Sequence, residues 1–144
     1  MAIYAISDIH GHYATYKKLL EKLKFSENDF LYVVGDVIDR GRDGIKIIQD
    51  TMRRPNVELM LGNHELMMLE HLHENALNSE CSNVWLNYNG GAYTMTAYRH
   101  LRKRDQKRIL TAMEKAIIQT TVHVDGIDFI IVHASLTNSK AIYM

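Results

Sequence analysis

The sequence predicts an α/β domain in which a sheet with parallel strands at its centre is flanked by helices. Over the first 62 residues, short apolar runs alternate with segments of helical periodicity. That order is typical of parallel strands joined by right-handed crossovers. The chain has 144 residues, of which 47% are hydrophobic, and this is enough for one domain with a sizeable core. We therefore expect residues 1–144 to form a single domain.

Three parallel strands are predicted at runs rich in β-branched and aromatic residues, over 3–6, 30–34 and 57–61. Between them, apolar residues recur at the spacing of an amphipathic helix over 12–24 and 43–53. A proline two residues after the second of these segments supports its end there. The predicted order of elements is therefore strand, helix, strand, helix, strand.

The middle of the chain is predicted to be mainly helical. One helix is expected over 64–75, and helical periodicity in two pieces covers 92–118. Between them, 79–91 is polar and contains glycine, which favours a loop with Trp85 and Leu86 as its buried anchors.

Two apolar runs near the end of the chain, 120–124 and 127–132, flank Asp125-Gly126. Asp-Gly between two apolar runs is a strong indication of a β-hairpin. The second run, through Phe129, ends close to the last residue, so we expect an apolar, unpaired edge there that favours homo-oligomers.

Charge and cysteine content narrow the class of protein. Lys and Arg together number 17, as do Asp and Glu, so no net charge favours nucleic acid or membrane as a partner. A basic run over 99–108 is interpreted as a solvated helix face, with a docking site for a phosphorylated protein or a polynucleotide as the alternative. The N-terminus lacks the pattern of a signal peptide, and Cys81 is the single cysteine. We expect a cytoplasmic protein.

Polar residues follow four of the predicted strands. Ligands in α/β sheets bind beyond the carboxyl ends of the strands, so we expect these side chains at one rim. They are Asp8, His10, Asp36, Asp39, Arg40, Asn63, His64 and His133.

Carboxylate, amide and imidazole groups are the ligands of a pair of divalent cations. Two cations roughly 3.5–4 Å apart need one oxygen ligand that bridges them. Asp36, on the middle motif, is the expected bridge. Asp8 and His10 would complete one metal site, and Asn63 and His133 would serve the other.

Four segments resemble the motifs of the calcineurin-like metallophosphoesterases: Asp8-Ile9-His10, Gly35 to Gly41, Gly62 to Glu65, and Val132-His133-Ala134. The resemblance covers residues 1–136 and implies an αββα sandwich that is incomplete at the C-terminus. Asp39-Arg40-Gly41, and Trp85-Leu86 with Gly90-Gly91, are similar to the bacterial and phage members of the phosphoprotein phosphatase branch.

The resemblance also implies roles. His64 would be the general acid, oriented by Asp39, and Arg40 would hold phosphate oxygens, so that Arg40, Asn63 and His64 contact the substrate. The cofactors would be two divalent ions, with manganese expected first and iron, zinc, nickel or cobalt as alternatives. The first ion would be held by Asp8, His10 and Asp36, and the second by Asp36, Asn63 and His133.

The function implied is hydrolysis of phosphomonoesters, with phosphoserine or phosphothreonine in proteins as the first substrate. Hydrolysis of dinucleoside polyphosphates is one alternative. The family also carries a Gly-His motif and a second arginine downstream, and neither follows His133 here. A second alternative is therefore a truncated, inactive remnant that binds metal or phosphate.

Some of these residues also have a simpler interpretation. Asp39 and Arg40 could form a surface ion pair of little energetic value. His71 and His73 are two apart on one predicted helix and are expected to be solvated. His123 alternates with valines and is expected to face solvent.

Overall fold

The computed structural model describes residues 1–73 and 80–134. Eleven elements follow one another along the chain. They are β1 (Ile3–Ile6), α1 (Tyr13–Lys22), β2 (Phe30–Val34), α2 (Gly44–Thr51), β3 (Val57–Met60), α3 (Asn63–His73), α4 (Glu80–Tyr88), α5 (Gly91–Arg99), α6 (Lys103–Glu114), β4 (Gln119–Val124) and β5 (Ile127–Val132).

The three N-terminal strands form the predicted parallel sheet, in the order β1-β2-β3. Ile3 pairs with Phe30, and Leu31 pairs with Val57. Strand β2 is central. Its alternate residues Leu31 and Val33 share one face and are almost fully buried, whereas Phe30 and Tyr32 on the other face are partly exposed. The carboxyl ends of all three strands therefore reach the same edge of the sheet.

Helices α1 and α2 cover this sheet through the apolar faces that their periodicity predicts. Tyr16 and Leu20 of α1 are buried, as are Ile45, Ile47 and Ile48 of α2. Their burial fixes both crossovers between the strands, so the loops that follow β1 and β2 start from a rigid base.

The predicted loop over 79–91 is wrong, because residues 80–88 form helix α4. Trp85 and Ser82 point inward and are buried, while Asn83 and Asn87 are exposed. The polar residues therefore form the solvated face of a helix that packs through one large aromatic side chain. The helices predicted over 92–118 are confirmed as α5 and α6. Residues 74 and 75 of the helix predicted over 64–75, and residue 79 of the loop, lie outside the described residues.

The C-terminal hairpin is confirmed, with β4 and β5 antiparallel. Asp125 and Gly126 both have positive φ, 50° and 82°, which is the conformation of a two-residue type I′ turn. The hairpin forms its own two-stranded sheet rather than extending the parallel one. Phe129 and Ile130 are 50% and 54% exposed, so the predicted apolar surface is present, and association through it stays a prediction. No helix in the two described ranges is both long and apolar enough to cross a membrane.

Candidate metal and catalytic site

The loops after β1 and β2 form one rim through backbone hydrogen bonds. His10 N donates to Asp36 O at 2.9 Å, and Gly11 N donates to Val37 O at 2.8 Å. Gly41 N returns to His10 O at 3.0 Å. The two loops therefore hold each other, and the side chains that they carry are brought together at the carboxyl end of the sheet.

Five non-glycine residues of this rim adopt left-handed backbone conformations. Their φ values lie between 43° and 67°, and they are Asp8, His10, Asp36, Asp39 and Arg40. Such conformations are uncommon outside glycine, although Asp and His tolerate them better than most residues. Backbone strain of this kind gathers at functional sites, where the surrounding structure holds it.

Gly35 shows why the motif needs glycine. Its φ is 66°, and a Cβ atom there would lie 2.5 Å from the Cα of Gly62. The loops after β2 and β3 therefore approach each other more closely than any side chain would allow.

A buried carboxylate, Glu65, joins these same two loops. Its Oε2 accepts hydrogen bonds from the backbone N–H of Asp36 at 2.8 Å and of Gly62 at 3.0 Å. Its Oε1 accepts from Val37 at 2.9 Å and from Ile38 at 3.3 Å. Burial raises the pKa of Glu65, but four N–H donors leave no acceptor for a carboxyl proton, so the contacts fit the ionised form. Glu65 thus fixes the backbone around Asp36.

Asp36 lies at the centre of the site. Its Oδ1 is 3.3 Å from His133 Nε2, and its Oδ2 is 3.8 Å from His10 Nε2. It belongs to both sets of possible metal donors among the described residues: one with His10 and His64, the other with Asp8 and His133. A carboxylate shared by two donor sets is what a bridging ligand requires.

Backbone carbonyls hold two histidines in an orientation that suits metal binding. His10 Nδ1 lies 3.0 Å from Ile38 O, and His133 Nδ1 lies 2.8 Å from Val34 O. Because a carbonyl oxygen only accepts, each Nδ1 carries a hydrogen and each Nε2 is left for another partner. This is the usual arrangement of a histidine that binds a metal.

His133 also reaches Asn63, whose Oδ1 is 3.2 Å from His133 Nε2. The hydrogen bond from His133 to Asp36 raises the pKa of this imidazole to about 9. Burial alone would raise the pKa of Asp36, but the hydrogen bonds from His133 and from the His64 N–H outweigh it and lower that pKa. A cation bound at this position would compete with the proton that this hydrogen bond favours.

The donor set fits divalent cations. The donor atoms of each set lie within 4.8 Å of one another, which accommodates a cation at roughly 2.0–2.2 Å from oxygen or nitrogen. The sequence pairs Asp8 with His10, whereas in the structure Asp8 groups with His133, and His10 groups with His64. Asn63 adjoins His133 as expected. Cys81 is exposed on α4, and sulfur ligation plays no part in either set.

The His64–Asp39 pair lies directly beside Asp36. His64 Nδ1 is 2.6 Å from Asp39 Oδ2, and both residues are buried. Asp39 is a pure acceptor here, so Nδ1 carries the hydrogen and Nε2 faces the site, 3.9 Å from Asp36 Oδ2. This geometry lets Nε2 hold or release a proton at the position of a reacting phosphate.

Asp39 and Arg40 do not form the surface ion pair considered as an alternative. Asp39 is 0% exposed, and its oxygens accept hydrogen bonds from His64, Trp85 and Thr94. Arg40 is exposed, and its guanidinium lies 3.5 Å from His64 Nε2. Its planar fork therefore lies beside His64, where it would hold phosphate oxygens.

The other histidines lie outside these donor sets. His71 is buried, against Ser82 Oγ at 3.0 Å and beside the Trp85 ring, so the expectation that it is solvated is wrong. His73 and His123 are exposed, as expected, and each contacts a carboxylate, Glu114 or Asp128. Sequence reasoning assigned no role at the site to Glu65, Trp85 or Thr94. Glu65 lies inside a recognised motif and Trp85 is the single tryptophan, but no local pattern singles out Thr94.

Known proteins resemble this chain in sequence. Residues 1–139 match the family model of calcineurin-like phosphoesterases. A protein of Nitrosospira multiformis named symmetrical bis(5'-nucleosyl)-tetraphosphatase is 30% identical over 144 residues, covering 99% of this chain and 46% of that protein. One of the same name from Buchnera aphidicola is 44% identical over 71 residues, 48% of this chain and 26% of that protein. This chain thus spans less than half the length of these relatives.

A solved structure agrees in fold. The metallophosphoesterase from Sphaerobacter thermophilus superposes with a TM-score of 0.57 at 18% identity, covering 85% of this chain and 43% of that one. The named relatives are tetraphosphatases, so they support the family without supporting the protein phosphatase branch that the sequence motifs imply. The match over residues 1–139, with the motif residues of four segments gathered around Asp36, means that this chain belongs to the calcineurin-like phosphoesterase family.

Proposed function

We propose that this chain carries the metal-binding and proton-donating part of a phosphoesterase that hydrolyses dinucleoside polyphosphates. The observation that carries the proposal is the position of Asp36, which belongs to two donor sets while the His64–Asp39 pair lies beside it. The substrate class rests on relatives named symmetrical bis(5'-nucleosyl)-tetraphosphatase. It replaces protein phosphoserine or phosphothreonine as the first candidate.

Each side chain has a role in this proposal. Asp36 would be shared by two divalent cations, with Asp8 and His10 as further ligands of one and Asn63 and His133 of the other; Asp8 also lies within reach of His133. Manganese is the ion expected first, and iron, zinc, nickel or cobalt suit the same oxygen and nitrogen donors. Bound cations of this kind lower the pKa of water and neutralise phosphate charge.

The remaining groups act on the phosphate itself. Arg40 is exposed, and its guanidinium is 3.5 Å from His64 Nε2, so a phosphate held by Arg40 lies within reach of that nitrogen. His64 Nε2 then donates a proton to the leaving oxygen, while Asp39 fixes the ring through Nδ1. Asn63 and His64 complete the contacts to the substrate.

Hydrolysis of phosphomonoesters in proteins is the second candidate. The motif Asp39-Arg40-Gly41, similar to that of the phosphoprotein phosphatase branch, favours it. A chain that binds metal or phosphate without turnover is the third candidate, because the two donor sets require binding and not catalysis. The three differ in their products, so one assay separates them.

The test gives the manganese-loaded chain diadenosine tetraphosphate and, separately, a phosphoserine peptide. Release of two ADP is expected, since symmetrical cleavage divides four phosphates equally. Asp36→Asn should abolish it, and Asp43→Asn, which changes a carboxylate paired with Lys46 at 2.7 Å outside both donor sets, should not. Phosphate released from the peptide alone would support the second candidate. Metal binding without either product would support the third.

A further inference from the structure

We propose that Trp85 and Thr94 are positioning residues for proton donation by His64. They hold the Asp39 carboxylate, and through it the imidazole edge that faces the phosphate. This inference rests on the proposed function, because His64 is the acid there. In that reaction a water oxygen forms the new bond to phosphorus, the bond from phosphorus to the leaving oxygen breaks, and that oxygen takes the Nε2 proton. The proton that the attacking water loses restores Nε2 through solvent.

Both oxygens of Asp39 are held by separate donors. Trp85 Nε1–H donates to Oδ2 at 2.5 Å, the same oxygen that receives His64 Nδ1–H at 2.6 Å. Thr94 Oγ1–H donates to Oδ1 at 2.6 Å, and Thr94 Oγ1 in turn accepts the Asp39 backbone N–H at 3.0 Å. The carboxylate is therefore fixed at both ends, and the plane in which it receives His64 is fixed with it.

All three of these supporting side chains are buried. Asp39 and Trp85 are 0% exposed and Thr94 is 3% exposed. Water is thus excluded as a replacement partner, and hydrogen bonds to a charged group are strong in such surroundings. Loss of either donor would leave part of the carboxylate without a partner and free to turn.

The turn between α4 and α5 brings the Trp85 ring and the Thr94 hydroxyl together. A Cβ atom on Gly91 would lie 2.5 Å from the Trp85 indole, so the ring lies directly against the helix backbone. Thr94 follows Gly91 by three residues, and both therefore share one face of α5. One face of a single helix thus receives the Trp85 ring and supplies the Thr94 hydroxyl.

The same turn also contacts the backbone of the phosphate-facing arginine. Gly90 has φ 86°, and a Cβ there would lie 2.5 Å from Arg40 N. The segment from Trp85 to Thr94 therefore abuts Asp39 and Arg40 in succession. It sets the orientation of the acid relative to the group that would hold the phosphate.

A role confined to stability predicts a different result from a role in positioning. If Trp85 and Thr94 only satisfied buried groups, their loss would lower the amount of folded protein and reduce all rates equally. If they orient His64, the loss of rate should increase with the pKa of the leaving group, because a more basic leaving oxygen depends more on protonation. Esters with poor leaving groups would then be affected most.

The test uses Trp85→Phe, which keeps an aromatic ring and removes the N–H, and Thr94→Val, which keeps the shape and removes the hydroxyl. The matched control is Thr51→Val, since Thr51 is also buried and donates to Ile48 O at 2.8 Å outside the site. Rates are measured on substituted phenyl phosphates of graded leaving-group pKa, with thermal unfolding as the check on folding.

We expect kcat for the poorest leaving group to fall by about tenfold or more in either variant, while the best falls less than about threefold and KM changes little. Thr51→Val should leave the dependence on leaving group unchanged. An equal fall for every ester, or no fall at all, would overturn the inference.

A second readout is independent of turnover. In proton NMR of the folded chain, the Nδ1–H of His64 should give a far-downfield resonance because it is held by Asp39 at 2.6 Å. Trp85→Phe and Thr94→Val should each shift or remove that resonance, and Thr51→Val should not. An unchanged resonance in both variants would overturn the inference. A wild-type chain that hydrolyses no ester, yet shows these changes, would refute the proposed function alone.

Discussion

Replacement of Glu65 by glutamine should destabilise the chain through a loss that can be counted donor by donor. The carboxylate is 0% exposed and accepts four backbone N–H groups, those of Asp36, Val37, Ile38 and Gly62. Glutamine has one accepting oxygen in place of two. In either orientation, its amide group faces two of these N–H donors, which then have no acceptor.

The magnitude follows from those two donors. A buried donor left without a partner costs about 1–3 kcal/mol, so Glu65→Gln should lower the free energy of unfolding by about 2–6 kcal/mol. Burial raises the pKa of Glu65, which means that the charged form carries a desolvation cost that glutamine avoids. We therefore expect a value near the lower end, about 2 kcal/mol. This is a large share of the stability of about 5–15 kcal/mol that is typical of a domain.

Urea unfolding followed by the fluorescence of Trp85, the single tryptophan, measures this loss. The midpoint should fall while the slope m stays constant. Glu21→Gln is the control, because Glu21 is exposed on α1, and it should change the free energy by less than about 0.5 kcal/mol. A loss no larger than that in Glu65→Gln would refute the account of Glu65 as the link between the loops after β2 and β3.

Three further outcomes follow from the structure. Hydrogen bonds from the N–H of Ala2 and then from Ser26 hold the pKa of Asp29 below its usual value, so Asp29→Asn should lower Tm at pH 7. The difference in Tm between wild type and variant should disappear as pH falls through the lowered pKa, and a difference that persisted in acid would contradict this. The hydrogen bond to Asp36 raises the pKa of His133 to about 9, so manganese binding at pH 7.5 should release a proton and should tighten as pH rises toward that value. Calorimetry in buffers of different ionisation enthalpy measures the proton release, and binding heats that do not depend on the buffer would contradict the prediction. Gly126 has φ 82° with open space around it, so Gly126→Ala should cost about 1 kcal/mol of stability through backbone strain alone, and an unchanged Tm would count against it.

The parallel sheet could be predicted because the sequence patterns that specify its strands and helices lie within short segments. The runs over 3–6 and 30–34 are short and apolar, and the segments between them keep helical periodicity. Side chains that follow such strands must reach the same edge of the sheet. That is why the sequence places Asp8, Asp36 and Asn63 at one edge, whereas His133 follows a strand of the separate hairpin sheet.

The features that the sequence did not predict depend on contacts between distant parts of the chain. The hydrogen bond from Trp85 to Asp39 joins residues 46 apart, and no local spacing encodes it. Helix α4 was missed because its polar residues outnumber its buried ones, and one tryptophan supplies most of its packing. How the donor side chains divide between two cations depends on side-chain directions, which motif order does not contain.

The left-handed backbone at five positions of the rim has a consequence for how the apoprotein takes up ions. Such conformations cost of order 1–3 kcal/mol each, and in this chain hydrogen bonds within the protein, such as that from His10 N to Asp36 O at 2.9 Å, hold them. We therefore expect the scaffold itself to hold this geometry when no cation is bound. Loading should consequently be limited by the shedding of hydration water rather than by loop closure, and removal by a chelator should be reversible without refolding.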